Sequence, residues 1–106
     1  MNVQWLEPWM LVESSEARSA FEAELCRELG AGHPLLGLPV AAIARRADQD
    51  DVLFLLGDGR VAEVHLTWRR RPEDDARWPR TLIYPSVEAW TEHRMMRHHE
   101  ELRGAS

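Results

Sequence analysis

A glutamate and a histidine two residues apart, Glu63 and His65, are the pair in this sequence best suited to acid–base chemistry. They fall within VAEVHLTW, whose alternation of apolar and polar residues predicts a β-strand. Residues i and i+2 of a strand lie on one face, about 6.6 Å apart, so the carboxylate can orient the imidazole and favour its protonated form. That arrangement prepares a general acid or base, and a purely structural histidine is the alternative. No serine stands in the strained turn that a nucleophile elbow requires.

The segment that follows this strand, residues 69–80, combines arginine, acid and tryptophan. Its charged residues are Arg69, Arg70, Arg71, Arg77 and Arg80 against Glu73, Asp74 and Asp75. Arginine beside Trp68 and Trp78 could stack on bases and bind phosphate, as in proteins that bind single-stranded nucleic acid. The three acids oppose that function. The alternative is a loop whose arginines pair with these acids and with Glu63, while Trp78 and Pro79 pack back onto the sheet.

Two tryptophans, Trp5 and Trp9, stand on either side of Pro8 ahead of the first predicted helix. Pro8 is expected to prevent regular structure at the centre of this segment. Tryptophan and arginine are enriched among the residues that dominate protein interfaces. If the segment folds back, it completes the core; if it is exposed, it is a docking site or a homodimer contact.

The histidines near the C-terminus do not have the spacing of metal ligands. His93 and His98 are five residues apart, whereas a histidine clamp on a helix needs a spacing of four. We expect His98 and His99 to interact with the helix dipole and with solvent. We expect no metal site and no cofactor. His33, in a glycine-rich linker, could line a cleft.

The elements that hold these side chains are indicated by periodicity and turn residues. A helix is predicted over 15–29, capped by Ser14 or Ser15 and ended by Gly30. Strands are predicted over 40–47, 52–57, 60–68 and 81–84, and a second helix over 86–102. The order predicts an α+β fold: a helix, a three- or four-stranded antiparallel meander and a C-terminal helix, with the helices packed on one sheet face.

The dipeptide Asp58-Gly59 between two apolar runs predicts a hairpin with a two-residue type I′ turn. That turn pairs Leu56 with Val61, Phe54 with Glu63, and Val52 with His65. In this register Glu63 and His65 share a half-apolar face with Phe54, which could form the floor of a covered pocket. The opposite face of the hairpin, with Val64, is then the core side.

Length and composition limit the kind of protein. The 106 residues predict one domain over 1–106, and 44% apolar with 29% charged residues is typical of a folded, soluble chain. The net charge of −5 opposes general binding of polyanions. The single cysteine, Cys26, excludes an intrachain disulfide. We expect no secretory signal, no membrane span and a cytoplasmic location.

The stretch from residue 28 to residue 90 contains ELGAGHPLLG, IARRADQDDVLF, DGRVAEVHLTW and RWPRT. This pattern resembles an uncharacterised family of small bacterial proteins, over more than half of the chain. VHLTW followed by RWPRT is its most specific part. The resemblance implies no activity and assigns no catalytic or binding residue.

The leading hypothesis from the sequence is a small cytosolic interaction module, of a regulatory or immunity type, that binds another protein or a second copy of itself. The residues that would bind the partner are Trp5, Trp9, Arg69, Arg70, Arg71, Arg77, Trp78 and Arg80. Two alternatives stay open. One is a small enzyme using His65 and Glu63, and the other is nucleic-acid binding through residues 69–80.

Overall fold

The computed structural model describes residues 3–104. Its strands are β1 (Trp9–Leu11), β2 (Val40–Arg46), β3 (Asp51–Leu56), β4 (Val61–His65) and β5 (Arg80–Tyr84). Helix α1 spans Ser15–Glu28, and the C-terminal helix (87–104) consists of α2 (Val87–Trp90), a π-helical segment (Thr91–Met95) and α3 (Met96–Gly104). The strands form one antiparallel sheet in the order β1-β2-β3-β4-β5. The predicted α+β class and the order of helix, meander and C-terminal helix are therefore confirmed.

Helix α1 begins and ends close to the predicted positions. The Ser14 hydroxyl accepts a hydrogen bond from the Ala17 N–H at 3.2 Å, which satisfies one free donor of the first turn. Gly30, just beyond the helix, is needed for close approach, because a Cβ there would lie 2.3 Å from the Glu73 carbonyl oxygen. The loop after β4 therefore crosses directly over the end of α1.

The two helices cover opposite faces of the sheet, which differs from the predicted placement on one face. On the α1 side the buried cluster contains Leu25, Leu29, Leu35, Ala42, Val52, Phe54, Leu56, Ala62, Val64 and Leu66. On the side of the C-terminal helix it contains Trp9, Ala44, Leu53, Val61, Val87, Trp90 and Met95. Alternate residues of β3 belong to different clusters, because both faces of this strand are covered. A strand that is buried on both faces has a continuous run of apolar residues rather than an alternating pattern. The run VLFLL in β3 is continuous in this way.

The predicted hairpin register is wrong by one residue. The structure pairs Leu55 with Val61, Phe54 with Ala62, Leu53 with Glu63, Val52 with Val64 and Asp51 with His65. The turn contains three residues, 57–59, because the Leu56 N–H donates to the Arg60 carbonyl at 2.9 Å. Within it the Gly59 N–H donates to the Leu56 carbonyl at 3.1 Å, and Gly59 has a φ of +94°. A three-residue turn closed by a left-handed glycine is a common hairpin solution. The slip exchanges the faces, so Val64 lies with Val52 and Phe54, whereas Glu63 and His65 face the C-terminal helix.

The N-terminal segment folds back into the core and adds a fifth strand, which the sequence did not predict. Trp9 is 2% exposed, and its ring meets Trp90 edge to face at a centroid distance of 4.9 Å. The Trp9 indole N–H donates to His98 Nδ1 at 2.9 Å. Pro8 is tolerated because it precedes β1, and its carbonyl still accepts from the Ala47 N–H at 2.7 Å. Of the two alternatives expected for this N-terminal segment, the structure has the one in which the segment completes the core.

His98 is also placed differently from the expectation, since it is buried rather than directed to solvent. Burial, and then the nearby Arg46 charge, hold the pKa of His98 below its ordinary value. The low pKa agrees with the role of Nδ1 as acceptor from Trp9. His99 contacts the Glu7 carbonyl through Nδ1 at 2.7 Å. Within residues 3–104, no helix is both long enough and apolar enough to cross a bilayer.

Candidate binding cleft

A cleft of about 580 Å³ opens on the sheet face that also carries the C-terminal helix. Asp51, Glu63 and His65 line it from β3 and β4, and Arg94 lines it from the helix. Its remaining lining residues are Arg46, Gln49, Arg77, Trp78, Arg80, Thr81 and Leu82. The end of the loop after β4 and the start of β5 therefore bring arginine and tryptophan to the same concavity as the strand acids.

A row of three side chains crosses the strands inside this cleft. Asp51 pairs with His65 between β3 and β4, and His65 pairs with Arg80 between β4 and β5. His65 Nδ1 lies 2.5 Å from Asp51 Oδ1, so the carboxylate fixes the orientation of the ring. Burial raises the pKa of Asp51, and the contact with His65 opposes that rise. Among the described residues, Nε2 of His65 has no hydrogen-bond partner and is the nitrogen left for a ligand.

Glu63 does not orient His65, contrary to the sequence interpretation. Its carboxylate accepts hydrogen bonds from Arg94 Nε at 2.9 Å, from Arg94 Nη2 at 2.8 Å and from the Trp90 indole N–H at 3.0 Å. Burial opposes ionisation of Glu63, but these hydrogen bonds outweigh it and hold the pKa below its ordinary value. Glu63 therefore fastens the C-terminal helix to β4, and Asp51, which lies fourteen positions before His65, takes the expected role.

The loop after β4 (66–79) is held by two glutamates of α1 that sequence reasoning missed. Glu28 accepts from the Thr67 N–H at 2.9 Å and from the Trp68 N–H at 2.8 Å, and Glu24 accepts from the Arg70 N–H at 3.2 Å. Trp68 and Arg70 have φ values of 58° and 62°, in the left-handed region that costs a non-glycine residue energy. The two side chains stabilise this backbone, because they accept from N–H groups that would be costly to leave unpaired inside the protein.

Both of these glutamates are completely buried, and their pKa values move in opposite directions. Burial, and then the adjacent Glu24 carboxyl, raise the pKa of Glu28 to about 7. Burial also opposes ionisation of Glu24, but contacts with Glu28, the Arg70 N–H and Arg27 hold its pKa below the ordinary value. Two carboxyl groups that share a buried site titrate as a pair with separated pKa values.

Two of the three loop acids, Glu73 and Asp75, pair with arginines of the loop, in partial agreement with one of the two sequence interpretations. Glu73 contacts Arg69 and accepts from the Thr67 hydroxyl at 3.1 Å. Asp75 pairs with Arg77 at 2.6 Å, and the hydrogen bonds from Arg77 lower the pKa of Asp75 to about 2. The expected pairing of loop arginines with Glu63 is not formed, because Arg94 occupies that carboxylate.

The far end of the loop is pinned to the linker that follows α1. The buried His33 donates from Nε2 to the Pro79 carbonyl at 3.1 Å and accepts from the Leu35 N–H at 3.1 Å. The Thr81 hydroxyl donates to the same Pro79 carbonyl at 2.9 Å. His33 therefore holds the loop in place and does not line the cleft. Pro79 is buried, as expected, whereas Trp78 is 39% exposed.

Arg80 differs from the other arginines of the cleft. Its guanidinium carbon lies 5.9 Å from the centroid of the Trp78 ring, and no acid of residues 3–104 pairs with it. Arg46, Arg77 and Arg94 each have a carboxylate partner. Arg80 therefore presents a full positive charge beside an aromatic ring.

The other predicted partner-binding residues lie elsewhere. Arg69, Arg70 and Arg71 are exposed on the loop but do not line the cleft. Trp9 is a core residue and cannot contact a partner, because its ring is enclosed between Trp90 and His98. Trp5 is half-buried, with its ring 6.2 Å from that of Trp90. The structure brings together Glu63, His65, Arg77, Trp78 and Arg80 of the predicted set.

Comparison of this chain with protein-family models, with curated proteins and with solved structures found no match. The described residues contain no group of three or more histidine, cysteine or acidic side chains that could hold a metal ion. The resemblance to small bacterial proteins thus remains a prediction from the sequence, and the chemistry of the cleft is the basis for any function.

Proposed function

We propose that this protein is an interaction module that binds a protein partner at the cleft. The observation that supports it best is Arg80, a guanidinium without an acidic partner in the described chain, which lies over the ring of the exposed Trp78, 5.9 Å from its centroid. Arginine and tryptophan are the residues most often responsible for interface affinity, because each buries a large area in a well-defined orientation. The adjoining cavity of about 580 Å³ can receive one or two side chains of the partner.

The loop that carries Trp78 is also held in place before any partner arrives. Glu24 and Glu28 bind its first half, and His33 binds its second half at Pro79. A surface that is already ordered loses less conformational entropy on association. This rigidity supports a binding role for residues 77–80.

Photocross-linking tests the proposal directly. Leu82 is exposed and lines the cleft, so a photoreactive amino acid at this position should cross-link a defined protein in a native extract. Trp78→Ala should reduce the yield roughly tenfold, as expected for loss of a hot-spot side chain. Leu102→Ala, which removes an exposed apolar side chain from α3, is the matched control and should not change the yield. Equal yields in all three proteins would contradict the proposal.

The Asp51–His65 contact favours a second candidate, an enzyme in which His65 is the general base and Asp51 orients it. In that case His65→Gln abolishes an activity and leaves the melting temperature nearly unchanged. We propose the cytoplasm as the location for either function, because the single cysteine, Cys26, is free and exposed.

A further inference from the structure

One arginine of the cleft, Arg80, has no acidic partner among the described residues. Four arginines and two carboxylates line the cleft, and three of these arginines, Arg46, Arg77 and Arg94, are paired with Asp48, Asp75 and Glu63. The chain as a whole carries −5. Arg80 is therefore a local positive charge on an acidic molecule, and it favours a ligand with a negative group.

Both carboxylates in the lining are already engaged by the protein. Glu63 accepts from Arg94 and Trp90, and Asp51 contacts His65. An incoming anion therefore meets the donors of Arg80 rather than a free acid. Because Nδ1–H of His65 donates to Asp51, Nε2 of His65 is a further donor only in the imidazolium form of the ring. Arg80 and His65 are directly opposite each other on neighbouring strands, where Cβ atoms lie roughly 5 Å apart. One carboxylate can contact both side chains at that separation.

We infer that the partner places an acidic side chain, aspartate or glutamate, between Arg80 and His65, with an apolar neighbour against Trp78. This inference rests on the proposed function and names the chemistry of the partner. A guanidinium offers several N–H donors in a plane that matches a carboxylate, and the ring of Trp78 lies beside it, 5.9 Å from the guanidinium carbon.

The surroundings of the cleft favour a single carboxylate over a nucleic acid. Asp48 and Asp75 hold Arg46 and Arg77 at the rim, and Asp50 lies next to the lining residues Gln49 and Asp51. A polyphosphate backbone would pass close to these acids, whereas a single inserted side chain would not. Binding of one carboxylate also has a shallow dependence on salt, because few counterions are released.

A titration followed by NMR tests this inference with defined probes. The probes are a short blocked peptide with one glutamate between leucines, the same peptide with glutamine, and a short oligothymidylate. The glutamate peptide should shift the resonances of Arg80, His65 and Trp78, and glutamine should weaken the affinity at least tenfold, about 1.4 kcal/mol. Arg80→Ala should weaken binding of the glutamate peptide by a similar factor, and Arg18→Ala, which removes an exposed arginine from α1, should not.

Three outcomes would overturn the inference: no shift with the glutamate peptide, equal affinity for the glutamine peptide, or preferential binding of oligothymidylate. These outcomes are distinguishable from failure of the proposed function. A partner that still cross-links at position 82 but is not displaced by the glutamate peptide would leave partner binding intact and refute the acidic contact.

Discussion

The two faces of the sheet use buried carboxylates in different ways. On the α1 side, Glu24 and Glu28 accept from backbone N–H groups of the loop and close the edge of an apolar core. On the other side, Glu63 and Asp51 accept from side chains, and the C-terminal helix leaves the end of β4 uncovered. Backbone partners make the first face a fixed scaffold. Side-chain partners leave the second face with donors that a ligand can still reach.

Removal of Glu63 should have the largest effect on stability. Glu63→Ala leaves the Arg94 guanidinium and the Trp90 indole N–H without their acceptor inside the second face. We expect a loss of about 3 kcal/mol in the free energy of unfolding, measured with urea. Glu92→Ala, at an exposed acid of the same helix, is the control and should change little. A loss below about 1 kcal/mol would show that Glu63 does not fasten the helix.

Removal of Glu28 should have the next largest effect and should act on the loop. Glu28→Ala leaves the Thr67 and Trp68 N–H groups without an acceptor, at a cost of about 2 kcal/mol. Proteolysis within residues 66–79 should become faster at the same time, because the left-handed backbone loses its support. Glu13→Ala, at an exposed acid ahead of α1, is the control. Unchanged proteolysis would show that Glu28 does not order the loop, and would contradict the description of the α1 face as a fixed scaffold.

The pH dependence of stability should carry the signature of Glu28. Its pKa rises from 4.5 to about 7 on folding, so the folded state binds the extra proton between these values. The contribution of this group is fully present below pH 4.5 and is lost as the pH rises through about 7. The free energy of unfolding, measured with urea at several pH values, should therefore fall less steeply with rising pH for Glu28→Gln than for the unmodified protein. Parallel curves would contradict the raised pKa.

His65→Gln should have the smallest effect on stability, below about 1 kcal/mol, because the side chain is half-exposed and glutamine can still donate to Asp51. The melting temperature measures it. A small effect agrees with a cleft residue that is available to a ligand. A loss comparable with that of Glu63→Ala would make His65 part of the scaffold. The contrast between Glu63, which fastens the helix, and His65, which is available to a ligand, would then disappear.

Capping residues, glycines and apolar runs in the sequence were enough to predict most elements of the fold. Ser14 and Gly30 marked the ends of α1, and the apolar runs marked β2 to β5 within a few residues. The register was not predictable in the same way, because Gly57-Asp58-Gly59 suits both a two-residue and a three-residue turn. Only the packing of both faces selects between them. The slip placed His65 opposite Asp51, a partner that the expected register excluded.

The candidate site was only partly predictable. Arg77, Trp78 and Arg80 were expected at a binding surface, and they do line the cleft. Glu24 and Glu28 resembled surface acids of a helix, since their backbone partners lie about forty residues away in the sequence. Contacts at that separation leave no local pattern. The nearest signal was their position beside Leu25 and Leu29 on the apolar side of α1.

A charge exchange at Arg80 tests most directly the proposed role of this residue in recognising the charge of the partner. The measurement is the affinity of Arg80→Glu for two peptides that differ only in glutamate or lysine between the leucines. We predict that the variant loses the glutamate peptide and gains the lysine peptide, with the reverse order in the unmodified protein. Continued preference of the variant for glutamate, or equal binding of both peptides by the unmodified protein, would contradict the account.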